Sequence, residues 1–155
     1  MYKRQPLSRM VGEKGLIYAI DMNEENLKIL EERLRREGIR HVNLIHDPHL
    51  SSRIHPTIGR VDAVFSLGML GYIRELKPLL RDIHRVLPEG GKICFIDYID
   101  FFKIFPNPEV LRDLRELEDI LVKEGFSVRI KKIKGLLWNY LVVYGVKTSE
   151  RFKVI

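Results

Sequence analysis

Phe126-Ser127-Val128-Arg129-Ile130-Lys131-Lys132-Ile133 is followed, after Lys134-Gly135-Leu136, by Leu137-Trp138-Asn139-Tyr140-Leu141-Val142-Val143-Tyr144-Gly145-Val146. Both stretches are rich in β-branched and aromatic residues and read as strands. Three intervening residues leave no room for a crossover helix. The two strands must therefore pair antiparallel, as a hairpin. In the first of them Phe126, Val128 and Ile130 alternate with Ser127, Arg129 and Lys131, which implies one buried and one solvated face.

Everything upstream follows a different rhythm, in which short apolar runs alternate with amphipathic helices. Leu16 to Ile20 is a strand-like run ending at Asp21, and Asn23 is placed to cap a helix opening with Glu24 and Glu25. Leu27, Leu30 and Leu34 share one face of that helix, and Gly38 ends it. Val42 to Ile45 and Val61 to Ser66 are further strands. A helix over Glu75–Leu87 carries the stripe Leu76, Leu79, Leu80, Ile83 and Val86. After the turn Pro88-Glu89-Gly90-Gly91, Lys92 to Asp97 reads as a strand with both faces covered. A last helix is expected from Pro108 to Glu124, with Leu111, Leu114, Leu117 and Leu121 inward. The expected fold is α/β, a mostly parallel sheet closed by a C-terminal antiparallel hairpin.

The chain has 155 residues, of which 45% are apolar and 31% charged, with a net charge of +6. That composition suits one folded domain and argues against disorder. The single cysteine, Cys94, excludes a disulfide framework or a thiolate metal cluster. No apolar stretch is long enough to span a bilayer, and a reducing, cytoplasmic setting is the expectation. The pI near 9.5 raises the possibility of a nucleic-acid partner. That partner is not favoured, because no aromatic-interleaved basic surface accompanies the charge.

This order of elements resembles the class I S-adenosylmethionine-dependent methyltransferases. The resemblance runs from about Leu7 to Lys147. It is carried by Gly15 to Asp21, by Val61-Asp62-Ala63-Val64-Phe65-Ser66-Leu67-Gly68, by Val86-Leu87-Pro88-Glu89-Gly90-Gly91-Lys92 and by the final hairpin. It implies S-adenosylmethionine as cofactor and a small-molecule or lipid-like methyl acceptor. Ser66-Leu67-Gly68-Met69 stands where amino-group methylating subfamilies carry an Asn/Asp-Pro-Pro-Tyr-like motif.

The resemblance further implies a first strand and a Gly-rich loop before Leu7, neither of which is in the 155 residues. The expectation is therefore a methyltransferase domain over residues 6–148, incomplete at its N-terminus, with 149–155 as a tail. Residues 1–5 read as a non-native leader, because Val-Tyr-Lys-Arg-Gln is the translation of a transposase end sequence used in sequencing libraries. Setting them aside removes Lys3 and Arg4, so the basic excess falls by two to +4. A chain without the Gly-rich loop is expected to bind cofactor weakly or not at all.

Residue by residue, the resemblance implies that Asp21 accepts the ribose hydroxyls, although an acid there equally suits a helix cap. Met22 would lie against the adenine. Asp47, with Pro48 beside it, would accept from the adenine amino group or form an Asx-turn. Ser66, Leu67 and Gly68 would pass under the sulfonium. Tyr72, Asp97 and Tyr98 fall at or after the carboxyl ends of strands, where open α/β sheets bind ligands, and are candidates for contacting substrate. No catalytic residue stands out.

His41, His46, His49 and His55 cluster in sequence but lack metal-ligand spacing, and no metal is expected. Phe101, Phe102 and Phe105 suit either a lid or a core flap. Two competing functions remain at this level. One is a nicotinamide-dependent oxidoreductase, and the other is an RNA- or protein-binding module that uses the basic strand around Arg129, Lys131, Lys132 and Lys134.

Overall fold

Asn23 stops the chain from running straight out of its first strand into solvent. Its side chain accepts from the Glu25 amide at 2.8 Å, and α2 (Glu24–Glu37) begins there. The computed structural model describes residues 7–49, 53–73, 75–100 and 109–148. Their contacts fall into two compact units, residues 1–50 and 51–155.

The first unit holds α1 (Leu7–Val11), β1 (Ile17–Asp21), α2 and β2 (Val42–His46). The strands β1 and β2 pair in parallel, from Ile17 with Val42 to Asp21 with His46. Gly38 ends α2 at a φ of 69°, a left-handed conformation that glycine adopts without a Cβ clash. The stripe expected on α2 is present, but only Leu27 is buried, while Leu30 and Leu34 are half-buried.

In the second unit come β3 (Ala63–Leu67), the 3-10 turn η1 (Leu70–Tyr72), α3 (Leu76–Val86) and β4 (Lys92–Ile99). They are followed by a second 3-10 turn, η2 (Glu109–Leu111), α4 (Leu114–Lys123), β5 (Phe126–Ile133) and β6 (Asn139–Lys147). The sheet order is β3-β4-β6-β5, with β3 and β4 parallel and β6 antiparallel to both its neighbours. The terminal hairpin is thus present as expected, and its second strand lies inside the sheet.

The core of this unit lies on one face of the sheet. Leu79, Leu80 and Ile83 of α3, Leu117 and Leu121 of α4, and Ile93, Phe95, Leu141 and Val143 of the strands form one buried cluster. Lys147 Nζ donates to the carbonyls of His84 and Leu87 at 2.6 and 2.8 Å, which satisfies the carboxyl end of α3. Arg81 reaches the nearly buried Glu124 with Nε 3.2 Å from Oε2, joining α3 to the end of α4.

Two boundaries differ from the sequence reading. The last helix does not run from residue 108. Asp113 accepts from the amides of Arg115 and Glu116 and starts α4 at Leu114, so Leu111 is buried from the separate turn η2. β4 is also not covered equally on both faces. Ile93, Phe95, Asp97 and Ile99 are buried, Cys94 and Ile96 are half-buried and Tyr98 is exposed. Beside it in β3, Phe65 and Leu67 are about half exposed. The helices of this unit pack on one face only, so alternation along the strands becomes a burial pattern. Phe101, Phe102 and Phe105, read as either a lid or a core flap, lie outside the described residues.

Candidate functional site

The carboxyl ends of the parallel strands bring the candidate residues together in two groups, one in each unit. In the first unit Asp21 ends β1 and Asp47 directly follows β2. A backbone bond from the Asp47 amide to the Asp21 carbonyl, at 3.1 Å, extends the ladder to this point. Asp21 Oδ1 accepts from the Asn23 amide at 2.8 Å and its Oδ2 accepts from the Asn26 side-chain amide at 3.1 Å. Asp47 is buried, and its Oδ1 accepts from the His49 amide at 2.9 Å, an Asx-turn across Pro48.

The turn role weighed for Asp47 is therefore present, whereas the cap of α2 is Asn23 and Asp21 accepts from the amide of that cap residue. These bonds do not exhaust the carboxylates, because each ionised carboxylate offers about four lone-pair sites. Met22 is 44% exposed and Pro48 is exposed, so both present apolar surface beside the acids. The His46 ring meets the Met22 carbonyl through Nε2 at 3.1 Å, and His41 likewise meets that of Ser8. These rings are tied to separate backbone groups, and no metal-ligating cluster occurs among the described residues.

In the second unit the chain leaves β3 through Ser66, Leu67 and Gly68. Gly68 has a φ of +69°, and its amide donates to the Ile96 carbonyl at 2.7 Å. A Cβ at Gly68 would stand 3.6 Å from the Tyr98 ring, so glycine is required here by backbone conformation more than by space. Tyr98 in turn packs edge-on against Trp138, with centroids 5.9 Å apart, and tilted against Tyr140 at 5.4 Å. Trp138 and Tyr140 also meet edge to face. The result is an aromatic wall beside the glycine.

Trp138 and Tyr140 were not singled out from the sequence. The available signal was the hairpin itself, since pairing β6 with β4 puts Tyr140 directly across from Tyr98. Tyr72 is 75% exposed on η1 and makes no part of this wall among the contacts described.

Asp97 and Ser66 sit on the opposite, buried face. Asp97 is 4% exposed, and its Oδ2 accepts from the Leu70 amide at 2.8 Å. Burial pushes its carboxyl above the ordinary carboxylate range, against the pull of the amides of Leu70, Tyr98, Gly71 and Met69. The Ser66 hydroxyl is buried without a hydrogen-bond partner among the described residues. Cys94 carries a free thiol whose pKa burial also raises, so it is a poor nucleophile.

Taken group by group, these residues fit a nucleoside cofactor. The first unit offers carboxylate acceptors and apolar surface, which match hydroxyl and amino donors on a flat base. The second offers a backbone open at a glycine and an aromatic wall.

Residues 4–95 match the family model described as "Methyltransferase domain". The chain is 26% identical over 95 residues to the demethylmenaquinone methyltransferase of Anoxybacillus flavithermus, covering 59% of this chain and 38% of that protein. It is 30% identical over 95 residues to the ubiquinone/menaquinone biosynthesis C-methyltransferase UbiE of Blochmanniella floridana, covering 59% and 35%. The chain thus spans well under half the length of these curated relatives.

Among solved structures, a SAM dependent methyltransferase from Aquifex aeolicus superposes with a TM-score of 0.72 at 26% identity, over 92% of this chain and 74% of that one. The [4+2]-cyclase SpnF superposes at 0.69 with 15% identity, over 94% and 72%, which is a likeness of fold alone. With a family model matched over more than half of its residues, a terminal antiparallel hairpin and acids at the ends of β1 and β2, this chain belongs to the methyltransferase-domain family.

Proposed function

We propose that the chain is part of an S-adenosylmethionine-dependent methyltransferase whose acceptor is a small, apolar, ring-bearing molecule. The observation that carries the choice of acceptor is the Tyr98–Trp138–Tyr140 wall beside Gly68. Such a surface favours a flat apolar ligand by stacking and dispersion and offers little to an anionic one. Relatives named as demethylmenaquinone and ubiquinone/menaquinone biosynthesis methyltransferases support a ring-bearing acceptor.

When bound, S-adenosylmethionine supplies a methyl group on a sulfonium that is displaced in line by the acceptor's nucleophile. The chain's residues then have roles of binding and alignment. In the first unit Asp21 takes the ribose hydroxyls, Asp47 takes the adenine amino group, and Met22 and Pro48 cover the base. In the second unit Ser66, Leu67 and Gly68 form the backbone beside the reacting centre, and Tyr72 and Tyr98 contact the acceptor while excluding water. No side chain has to move a proton when the acceptor's nucleophile is already ionised.

Isothermal calorimetry of the whole chain tests the reading, with S-adenosylmethionine and a nicotinamide dinucleotide as parallel titrants. Saturable binding of the first by an upstream-extended version that supplies the Gly-rich loop, weakened about tenfold or more by Asp21→Ala (about 1.4 kcal/mol per tenfold), is expected, with weaker or no binding by the 155-residue chain. Preference for the dinucleotide would overturn it. Tight, steeply salt-dependent binding of RNA without either nucleotide would instead favour a module that uses the exposed Arg129 and Lys131.

A further inference from the structure

Asp97 occupies a position in β4 where the sheet asks for an apolar side chain. Its row on that face is Ile93, Phe95 and Ile99, all 3% exposed or less. A carboxylate placed among them carries a desolvation cost that only strong local hydrogen bonds can offset. No lysine or arginine pairs with it among the described residues; its Oδ2 accepts from the Leu70 amide at 2.8 Å, and the amides of Tyr98, Gly71 and Met69 also favour its charged form. That bond crosses from β4 to the segment that leaves β3, between residues 27 positions apart.

The segment is built to be held at its middle. The Leu70 side chain is 1% exposed and its amide is taken by Asp97, so residue 70 is anchored both ways. On either side the chain turns outward, with Leu67 at 52% and Tyr72 at 75% exposed. Gly68 supplies the left-handed step between the strand and the anchor. A hydrogen bond to an ionised acceptor is about twice as strong as a neutral one, which suits a carboxylate fixing a short segment through the Leu70 amide with the neighbouring Met69 and Gly71 amides in support.

We propose that Asp97 is a positioning residue: its carboxylate pins the Ser66–Tyr72 segment through the Leu70 amide and acts on bound ligands only through that segment. The part played by the segment rests on the methyltransferase reading, while the pin itself rests on geometry. Such near-complete burial leaves the carboxylate no surface with which to contact an acceptor.

The test compares native chain, Asp97→Ala and Asp97→Asn by amide hydrogen exchange and by 1H–15N resonances, followed by an S-adenosylmethionine titration of each. Asparagine keeps an acceptor oxygen in place and alanine removes it. Exchange at Leu70 is expected to quicken at least about tenfold in the alanine variant, with the Gly68 and Tyr72 resonances displaced. Amides within α3 should be unaffected. In the asparagine variant, Leu70 protection should return to within about threefold of native.

Unchanged Leu70 protection in the alanine variant would overturn the proposal. So would weakened ligand binding in the asparagine variant with Leu70 protection intact, because that would mark a direct contact. Should alanine prevent folding, the asparagine comparison still decides between these outcomes. The pin is decided by the exchange pattern alone; failure of an upstream-extended chain to bind S-adenosylmethionine, with that pattern as expected, would count against the methyltransferase reading and leave the pin standing.

Discussion

The two units of this chain are made of similar pieces and stand on different footings. Residues 7–49 form a strand–helix–strand repeat in which every residue of β1 is half-buried and Leu27 is the single buried hydrophobic described. Residues 53–148 use the same kind of parallel pair but add the hairpin, and Leu80, Ile83, Ile93, Leu121, Leu141 and Val143 become wholly inaccessible. The difference teaches that a parallel pair with one helix cannot enclose a core. An inserted antiparallel strand with two helices on one face can.

The strongest way to break that contrast is to remove packing from each side. Leu80→Ala in the second unit should cost about 2–5 kcal/mol and shift the main urea transition. Leu27→Ala should cost about 2 kcal/mol or less, because its surroundings are already partly solvated. Equal effects from the two would show the units to be equally consolidated. Native-state exchange sharpens the same point: amides of β4 and β6 should be protected at least about tenfold better than those of β1 and β2.

Smaller effects come from the helix caps. Asn23→Ala and Asp113→Ala each remove a side chain that accepts from the first-turn amides, and each should cost about 1 kcal/mol. The first should register as faster exchange within α2, and the second should lower the main transition midpoint, because α4 belongs to the closed core. A global loss from the first would contradict the separation of the units.

The subtlest prediction concerns pH. Burial raises the Asp97 carboxyl in the folded state, so the folded chain keeps that proton to a higher pH than the unfolded chain does. Ionising Asp97 therefore lowers stability as pH rises from its unfolded value, near 4, through its raised folded value. The loss is complete above that. Asp97→Asn avoids this cost, so its stability advantage over the native chain should be largest near neutral pH. The advantage should shrink as pH falls toward about 4, measured as the difference in urea midpoints. A constant difference would mean that the carboxyl titrates alike in both states.

Much of the architecture was legible because it rests on local chemistry. The hairpin followed from a gap too short for a crossover, and α2 from Asn23, Glu24 and Gly38, all of which act within a turn of themselves. The break between η2 and α4 was missed although Asp113 is a good cap, because the leucine stripe continues in phase across it. Asp21 and Asp47 were legible as acids at strand ends, and the Asx-turn at Asp47 with them, whereas the helix cap weighed for Asp21 falls to Asn23. Trp138 and Tyr140 were not, since their meeting with Tyr98 depends on the register of β6 against β4.

Amino-acid order alone established the sequence of elements, the antiparallel ending and the residue types at each strand end, because propensity, capping and periodicity act over a few residues. Folding in three dimensions settled what each polar group faces. Asp97 and Tyr98 are neighbours in one strand, yet one is buried against the Leu70 amide and the other stands in an aromatic wall beside Gly68. The pleat sends adjacent side chains to opposite faces. Which face is closed depends on helices far away in the chain.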